Sequence, residues 1–293
     1  MNSTEVFDGN RPLLFSISYR MLGSVMEAED VVQEAYLRWQ EVPEGEVRSP
    51  SAYLSTVVTR LCIDRLRSAR ARRERYVGSW LPEPLLGDQD ILGTADLDDS
   101  LSMAFLVLLE SLTPVERAVF LLREVFGYEY AEVASLVGKS EANCRQISRR
   151  ARQSVAARRP RFESSPEQEK RLMDGFLKAS LSGDMEALLA LLSEDVTLYS
   201  DGGGKTRAPL RPVHGPDNVV RFLAAILQKT PPDFTVRRTG INGKPGFVSY
   251  LGDGSPQSVV TIDVAEGSIK AIRLLVNPEK LASVPPLGQE GVT

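Results

Sequence analysis

The sequence predicts a multidomain chain, with two all-α modules in its first half and an α+β cone in its second. Three observations carry this. Apolar residues recur at helical spacing from about Asn10 to Arg75 and again from Leu101 to Arg159. Between them, Tyr76 to Ser100 is rich in Gly, Pro and Asp and reads as a linker. After Pro160 two helical patterns give way to short β-like runs punctuated by glycine and proline. The 293 residues suit two or three compact units at ~100–150 residues each.

In the first module, Ala28, Val31, Val32, Ala35, Tyr36 and Trp39 define a buried helical stripe, while Glu29, Asp30, Gln33 and Glu34 face outward. Ser49-Pro50 is a cap with proline at the first helical position, opening a helix through Tyr53, Leu54, Val57, Val58, Leu61 and Leu66. In the second module, Thr113-Pro114-Val115-Glu116 is a capping box. A short helix from Glu129 to Val137, the turn Gly138-Lys139-Ser140 and a helix from Glu141 to about Ala157 follow. Ser140 is a good N-cap. Cys144, Ile147, Ala151 and Val155 form one narrow apolar stripe, so Arg145, Gln146 and Arg149 point away from the core. Helix, glycine turn and arginine-faced helix make a helix-turn-helix, whose second helix enters a major groove.

Composition excludes several classes. No run of ~18 apolar residues occurs, and Met1 to Glu5 has neither a basic start nor an apolar core, so neither membrane span nor signal peptide is expected and the compartment is expected to be cytoplasmic. Cys62 and Cys144 cannot build a disulfide framework or a zinc site, and no metal or cofactor is expected. The net charge of −4 conceals segregation. Arg60, Arg65, Arg67, Arg70, Arg72, Arg73 and Arg75 form one basic block; Arg145, Arg149, Arg150, Arg152, Arg158, Arg159 and Arg161 form another. The linker carries Asp88, Asp90, Asp96, Asp98 and Asp99. Two cationic patches on an anionic tether suit a two-point DNA contact, because phosphate attraction is screened within ~10 Å. Solvated arginine-rich helix faces would show the same charge pattern.

Several strings resemble a known family. Ser18-Tyr19-Arg20-Met21-Leu22-Gly23-Ser24 and Ala28-Glu29-Asp30-Val31-Val32-Gln33-Glu34-Ala35 resemble region 2 of extracytoplasmic-function sigma factors. Leu112 to Glu124 with Tyr130-Ala131-Glu132-Val133-Ala134 resembles their region 4. The resemblance implies an alternative sigma factor with a region 2 helical bundle (1–75), a linker (76–100) and a region 4 helix-turn-helix domain (101–162). It also implies that Asp30, Gln33 and Glu34 bind the polymerase core at the clamp helices of its largest subunit, with the flap as a second contact. Arg60, Asp64 and Arg65 would then meet the non-template strand of the −10 element. Arg145, Gln146, Arg149 and Arg150 would read −35 DNA, and Arg123 would sit on backbone phosphate.

Trp80-Leu81-Pro82-Glu83-Pro84, Asp201-Gly202-Gly203-Gly204-Lys205 and Asn277-Pro278-Glu279-Lys280-Leu281 resemble motifs of the SigJ type, which carries a SnoaL-like domain; Glu279 stands where that subgroup has Asp. The domain is expected over 166–281, with 282–293 a flexible tail. Ser165-Pro166-Glu167-Gln168 opens its first helix, and strands are expected at Val196 to Tyr199, Phe247 to Leu251, Ser258 to Val264 and Ile269 to Val276. Gly202 to Gly204 reads as a tight turn allowing close backbone approach to another domain. Trp80, Pro82, Glu83, Asp201, Gly202, Gly203, Lys205 and Asn277 are the expected contacts through which the fused domain regulates the rest.

Two rival functions stay open at this point. One is a one-component regulator that binds duplex DNA and senses a small-molecule ligand in the cone. The other is a fused enzyme using His214, the only histidine, with Asp201 as an acid/base pair. Val213 to Asp217 more simply caps the following helix, and the chain is expected not to be an enzyme. A monomer is expected in the free state.

Overall fold

The computed structural model describes residues 3–43, 45–73, 76–87, 100–157 and 164–288, with the side chains of 69–73 left aside. The side chains of Arg70, Arg72 and Arg73, together with Arg75, Arg158, Arg159, Arg161 and the acids from Asp88 to Asp99, lie outside what is described. The chain forms two compact units. Among the described residues no helix is long and apolar enough to cross a membrane.

The first unit is all helical. It holds α1 (Ser3–Leu22), α2 (Val25–Gln40), α3 (Pro50–Arg73), α4 (Met103–Leu109) from Phe105 onward, α5 (Pro114–Phe120), α6 (Tyr130–Val137) and α7 (Glu141–Ala156). Ser24 caps α2 by accepting from the Glu27 N–H, and Thr113 with Glu116 forms the reciprocal capping box on α5. Leu14, Ile17, Met21, Val31, Val32, Leu54, Val58 and Leu66 bury the contact among α1, α2 and α3. Val119, Leu122, Val133, Leu136, Cys144 and Ile147 form the core of the helix-turn-helix. The stripe expected on α7 is buried as expected, and Gly138 closes α6 in the left-handed region at φ 67°. One feature was not foreseen: α5 widens at Leu121–Val125 into a single π turn that carries Arg123.

The two helical modules pack directly against each other within this unit. Arg117 of α5 is 3% exposed and donates from Nη1 to the Met21 carbonyl at the end of α1, 2.7 Å away. Its Nε donates to the Leu109 carbonyl, and its Nη2 pairs with Glu110 at 2.6 Å. Arg20 of α1, 1% exposed, donates in the other direction to Ser100 Oγ and lies over the Phe126 ring. Each arginine satisfies polar groups beyond its own module, and those hydrogen bonds offset the cost of burying its charge. Ser55 of α3 completes the seam with a 3.0 Å hydrogen bond to Tyr128.

The second unit contains α8 (Pro166–Ser182), α9 (Met185–Leu191), β1 (Leu192–Asp201), β2 (Val213–His214), α10 (Pro216–Leu227), β3 (Thr235–Ile241), β4 (Lys244–Tyr250), β5 (Pro256–Ala265), β6 (Ser268–Leu275) and α11 (Pro278–Leu281). The strand order is β2-β1-β6-β5-β4-β3; β1 runs parallel to β6 and the other pairs are antiparallel. Breaks in register at Ser249/Tyr250 and Asp263/Val264 bend the strands. One face packs on the helices through Phe176, Leu188, Val196, Leu198, Val219, Phe247, Val260, Ile262 and Ile272. Expected strand positions hold with shifted ends; β3 was not foreseen, because Thr235 to Ile241 lies mostly half-buried on the sheet edge and shows no clean alternation.

The expected linker divides. Residues 76–87 belong to the second unit as a strap along its sheet. Leu86 bridges to Ile241, and the Asn242 N–H donates to the Leu85 carbonyl at 2.8 Å, so the strap extends the edge beside β3. The tail likewise differs from expectation through residue 288. Val284 is 3% exposed, and the Leu287 N–H donates to the Gly254 carbonyl, which ties this segment to the β4–β5 turn.

Candidate functional site

On α2, Met26, Asp30, Gln33 and Leu37 share the outward face at helical spacing. Met26 and Leu37 are 58% and 56% exposed, two large apolar side chains framing a carboxylate and an amide. Glu34 lies nearer the bundle and pairs with Arg38 at 2.6 Å. Sequence reasoning assigned this helix and α3 to separate partners, but the fold joins them. Arg65 of α3 stands 3.5 Å from Asp30 and 3.7 Å from Glu34. These half-open pairs are worth ~1 kcal/mol or less and yield readily to a partner. Asp64 is exposed and pairs with Arg67. Arg60 does not stand free: its Nε and Nη2 donate to the Leu136 and Ser135 carbonyls at the C-terminal end of α6, each at 3.3 Å. A guanidinium there caps orphan carbonyls and meets the negative end of the helix dipole.

The helix-turn-helix presents Arg145, Gln146, Arg149 and Arg150 outward on α7, as expected. Arg145 pairs with Glu141 one turn back, and Arg150 stands 3.9 Å from Glu116. Arg123 is positioned by the π turn: its Nη1 donates to the Tyr128 carbonyl at 2.9 Å and lies 3.1 Å from Glu129. Pairing with Glu129 raises its already high pKa, so it stays cationic. Nearly every arginine of the two described faces is held by a carboxylate or a carbonyl of the same unit. These are oxygen acceptors of the kind that phosphates and base edges also offer.

A third site joins the strap to the sheet. Asp201, fully buried at the end of β1, accepts from the Tyr76 hydroxyl at 2.6 Å, the Leu81 N–H at 2.8 Å, the Gly203 N–H at 3.0 Å and Lys280 Nζ at 2.7 Å. Lys280 also donates to the Leu81 carbonyl and lies over the Tyr76 and Trp80 rings at 4.9 and 4.6 Å. Asn277 caps α11 through the Glu279 N–H and donates to the Tyr76 hydroxyl at 2.9 Å. Gly203 has φ +60°, and the space a Cβ would need is filled by the Asn277 amide. The close approach expected of the three glycines is made within this unit, to the NPEKL segment and to Val77 of the strap, and not to another domain. Gly202 allows the turn itself, since a Cβ there would stand 2.7 Å from the Thr206 carbonyl. Lys205 pairs with Glu279 on the exposed rim. Pro82 and Glu83, within the strap, are buried, Glu83 to 8%.

Sequence reasoning missed Tyr76, Leu81 and Lys280 as partners of Asp201, and Asn242 as the partner of Leu85. Lys280 was inside a quoted motif and three residues after Asn277, which was the available signal; the backbone donor of Leu81 left none. Burial and the hydrogen bond to Asp201 raise the Tyr76 pKa well above the ordinary tyrosine value. The phenol thus keeps its proton through the range where free tyrosines ionise, near pH ~10, and the bond is lost only above the raised value. Subtracting the alkaline absorbance titration of Tyr76→Phe from that of the unaltered chain should leave a phenol that ionises late. A difference curve centred at the ordinary value would show that the strap is not docked in solution.

His214 does not form the acid/base pair considered from sequence. Its Nδ1 meets Thr197 Oγ1 at 3.1 Å, while Asp201 spends its oxygens on the strap and Lys280. Among the described residues, the buried side-chain polar atoms without a hydrogen-bond partner include the hydroxyls of Ser180 on α8 and Ser200 near the end of β1.

Comparison with known proteins agrees with this arrangement. Residues 6–72 match the family model for Sigma-70 region 2, 102–155 that for Sigma-70 region 4, and 173–270 that for the SnoaL-like domain. The chain is 37% identical to the ECF RNA polymerase sigma factor SigJ of Mycobacterium tuberculosis, over 95% of this chain and 93% of that protein. It is 30% identical to the probable ECF sigma factor SigI of the same species, over 93% and 92%. The crystal structure of the M. tuberculosis SigJ superposes with a TM-score of 0.79 at 33% identity, covering 97% of this chain and 99% of that one.

Proposed function

The chain belongs to the extracytoplasmic-function RNA polymerase sigma factors, and from that premise we propose how its own residues carry out promoter-directed initiation and its control. It is an alternative sigma factor, and the partners of such a protein are RNA polymerase core and promoter DNA. The observation that carries the residue assignment is the α2 ridge, where exposed Met26 and Leu37 flank Asp30 and Gln33. Apolar side chains left in water beside polar ones suit a protein interface. This ridge, with Glu34, docks on the clamp helices of the largest subunit. Arg65 and Asp64 then lie beside that interface, where the −10 strand enters, and Arg60 joins them once it leaves the end of α6. Arg145, Gln146, Arg149 and Arg150 read the −35 duplex, and Arg123 holds phosphate.

Run-off transcription with purified core and the full chain tests this. Asp30→Arg combined with Leu37→Asp should lower core association and transcription about tenfold or more, with the unfolding midpoint unchanged. Core association at the unaltered level would refute the docking assignment, and a wild-type chain that directs no initiation would refute the function.

Control resides in the strap. Tyr76, Trp80, Asp201, Asn277 and Lys280 hold residues 76–87 on the fused domain, so the chain leading out of region 2 is tethered to its sheet. A tethered contact acts at an effective concentration on the order of mM, so individually weak bonds suffice to keep it docked. Truncation after Pro160, Asp201→Ala and Trp80→Ala should each alter transcription; transcription unchanged from the wild-type chain in all three would remove the regulatory role.

A further inference from the structure

The geometry points to Tyr130 as a positioning residue for −35 recognition, a platform that holds two DNA-facing arginines at once; we infer this on the basis of the promoter-reading role proposed above. The guanidinium carbons of Arg123 and Arg145 lie over the Tyr130 ring, 4.9 and 4.6 Å from its centroid. One arginine comes from the π turn after α5 and the other from the recognition helix, 22 residues apart in sequence, and the ring at the start of α6 brings them together. The ring is itself anchored: the Tyr130 hydroxyl donates to Ser148 Oγ at 3.2 Å, and Ser148, fully buried on α7, lies 3.3 Å from Glu124.

Each arginine also has a carboxylate partner, Glu129 for Arg123 and Glu141 for Arg145. Those carboxylates engage N–H groups that phosphate or a guanine edge would need, so DNA must displace them. The ring differs, because it balances the cation without supplying an oxygen acceptor and can stay in place when DNA takes the N–H groups. Arginine loses much rotamer freedom when it is fixed on a ligand, and a side chain already resting on a ring loses less. Tyr130 therefore contributes to affinity and base preference without touching DNA itself.

The test uses the full chain in holoenzyme and a −35 duplex that the wild-type chain selects from a randomised pool. Tyr130→Leu should weaken binding about tenfold, given two ring contacts of modest size. It should also flatten preference at the bases that Arg145→Ala relaxes, and its loss should add only in part to that of Arg145→Ala in the double variant, the remaining part being the share carried by Arg123. Tyr130→Phe, which keeps the ring, should restore affinity to near the wild-type level. Unfolding midpoint and core association serve as controls, since a merely structural role would move the midpoint and leave base preference alone. The inference fails if Tyr130→Leu keeps wild-type affinity and preference, if its loss adds fully to that of Arg145→Ala, or if Tyr130→Phe is as impaired as Tyr130→Leu. Failure of the wild-type chain to select any duplex would instead overturn the promoter reading, and the platform with it.

Discussion

Asp201→Asn should destabilise the second unit by about 3 kcal/mol and release the strap, because it removes the charge that pays for burying Lys280. Asp201 has no solvent exposure and the Lys280 side chain only 11%, so water cannot replace the lost carboxylate. The amide keeps the shape, yet it offers one acceptor oxygen where Tyr76, Leu81, Gly203 and Lys280 now share two. Urea denaturation measures the loss, and limited proteolysis reads the strap, which should become cleavable between residues 76 and 87. Asp201→Asn with Lys280→Met should lose less than the sum of the two single changes, since a charge without its partner is worse than no charge. An Asp201→Asn chain that unfolds at the wild-type midpoint, with its strap still protected, would show that the network contributes nothing.

The second large effect is expected at Arg117. Arg117→Met keeps the apolar stem and removes a guanidinium that satisfies the Met21 and Leu109 carbonyls and Glu110. Glu110 is partly exposed and can turn to water, but the carbonyls are enclosed, and leaving them unmet costs ~1–3 kcal/mol each. About 3 kcal/mol of destabilisation in the first unit should follow. The consequence for function is a looser seam between regions 2 and 4, which frees Arg60 from the end of α6. Arg117→Met should therefore bind a −10 non-template strand without polymerase more readily than the wild type, although it is less stable. Weaker or equal DNA binding in a chain that remains folded would show that the seam does not restrain the DNA faces. The restraint read from sequence was placed wholly in the fused domain; the Arg117 variant tests whether the seam between the helical modules supplies a second.

How much of this was legible depends on the range of the signal. The α7 stripe, the capping box at Thr113 and Glu116, and the outward set Arg145, Gln146 and Arg149 follow from periodicity and local hydrogen bonding, and all appear in the structure. The motifs around Trp80, Asp201 and Asn277 were legible as strings, but their chemistry was not. Nothing in one string says that Asp201 receives Tyr76 and Lys280, separated from it by 125 and 79 positions. The expected tail was misread because Val284 is an isolated apolar residue, and only the turn beside Gly254 gives it a place to bury.

By itself the sequence determined the helical and α+β halves, the turn chemistry and the two arginine-bearing faces, because those depend on neighbours within a few residues. Tertiary structure alone decided that Arg65 sits between the acids of α2, that Arg60 closes α6, that Arg117 joins the helical modules and that residues 76–87 form a strap rather than a loose linker. The physical reason is common to all four. A charged or polar group taken out of water accepts whatever complementary partner the fold brings near it, and that partner can lie anywhere along the chain.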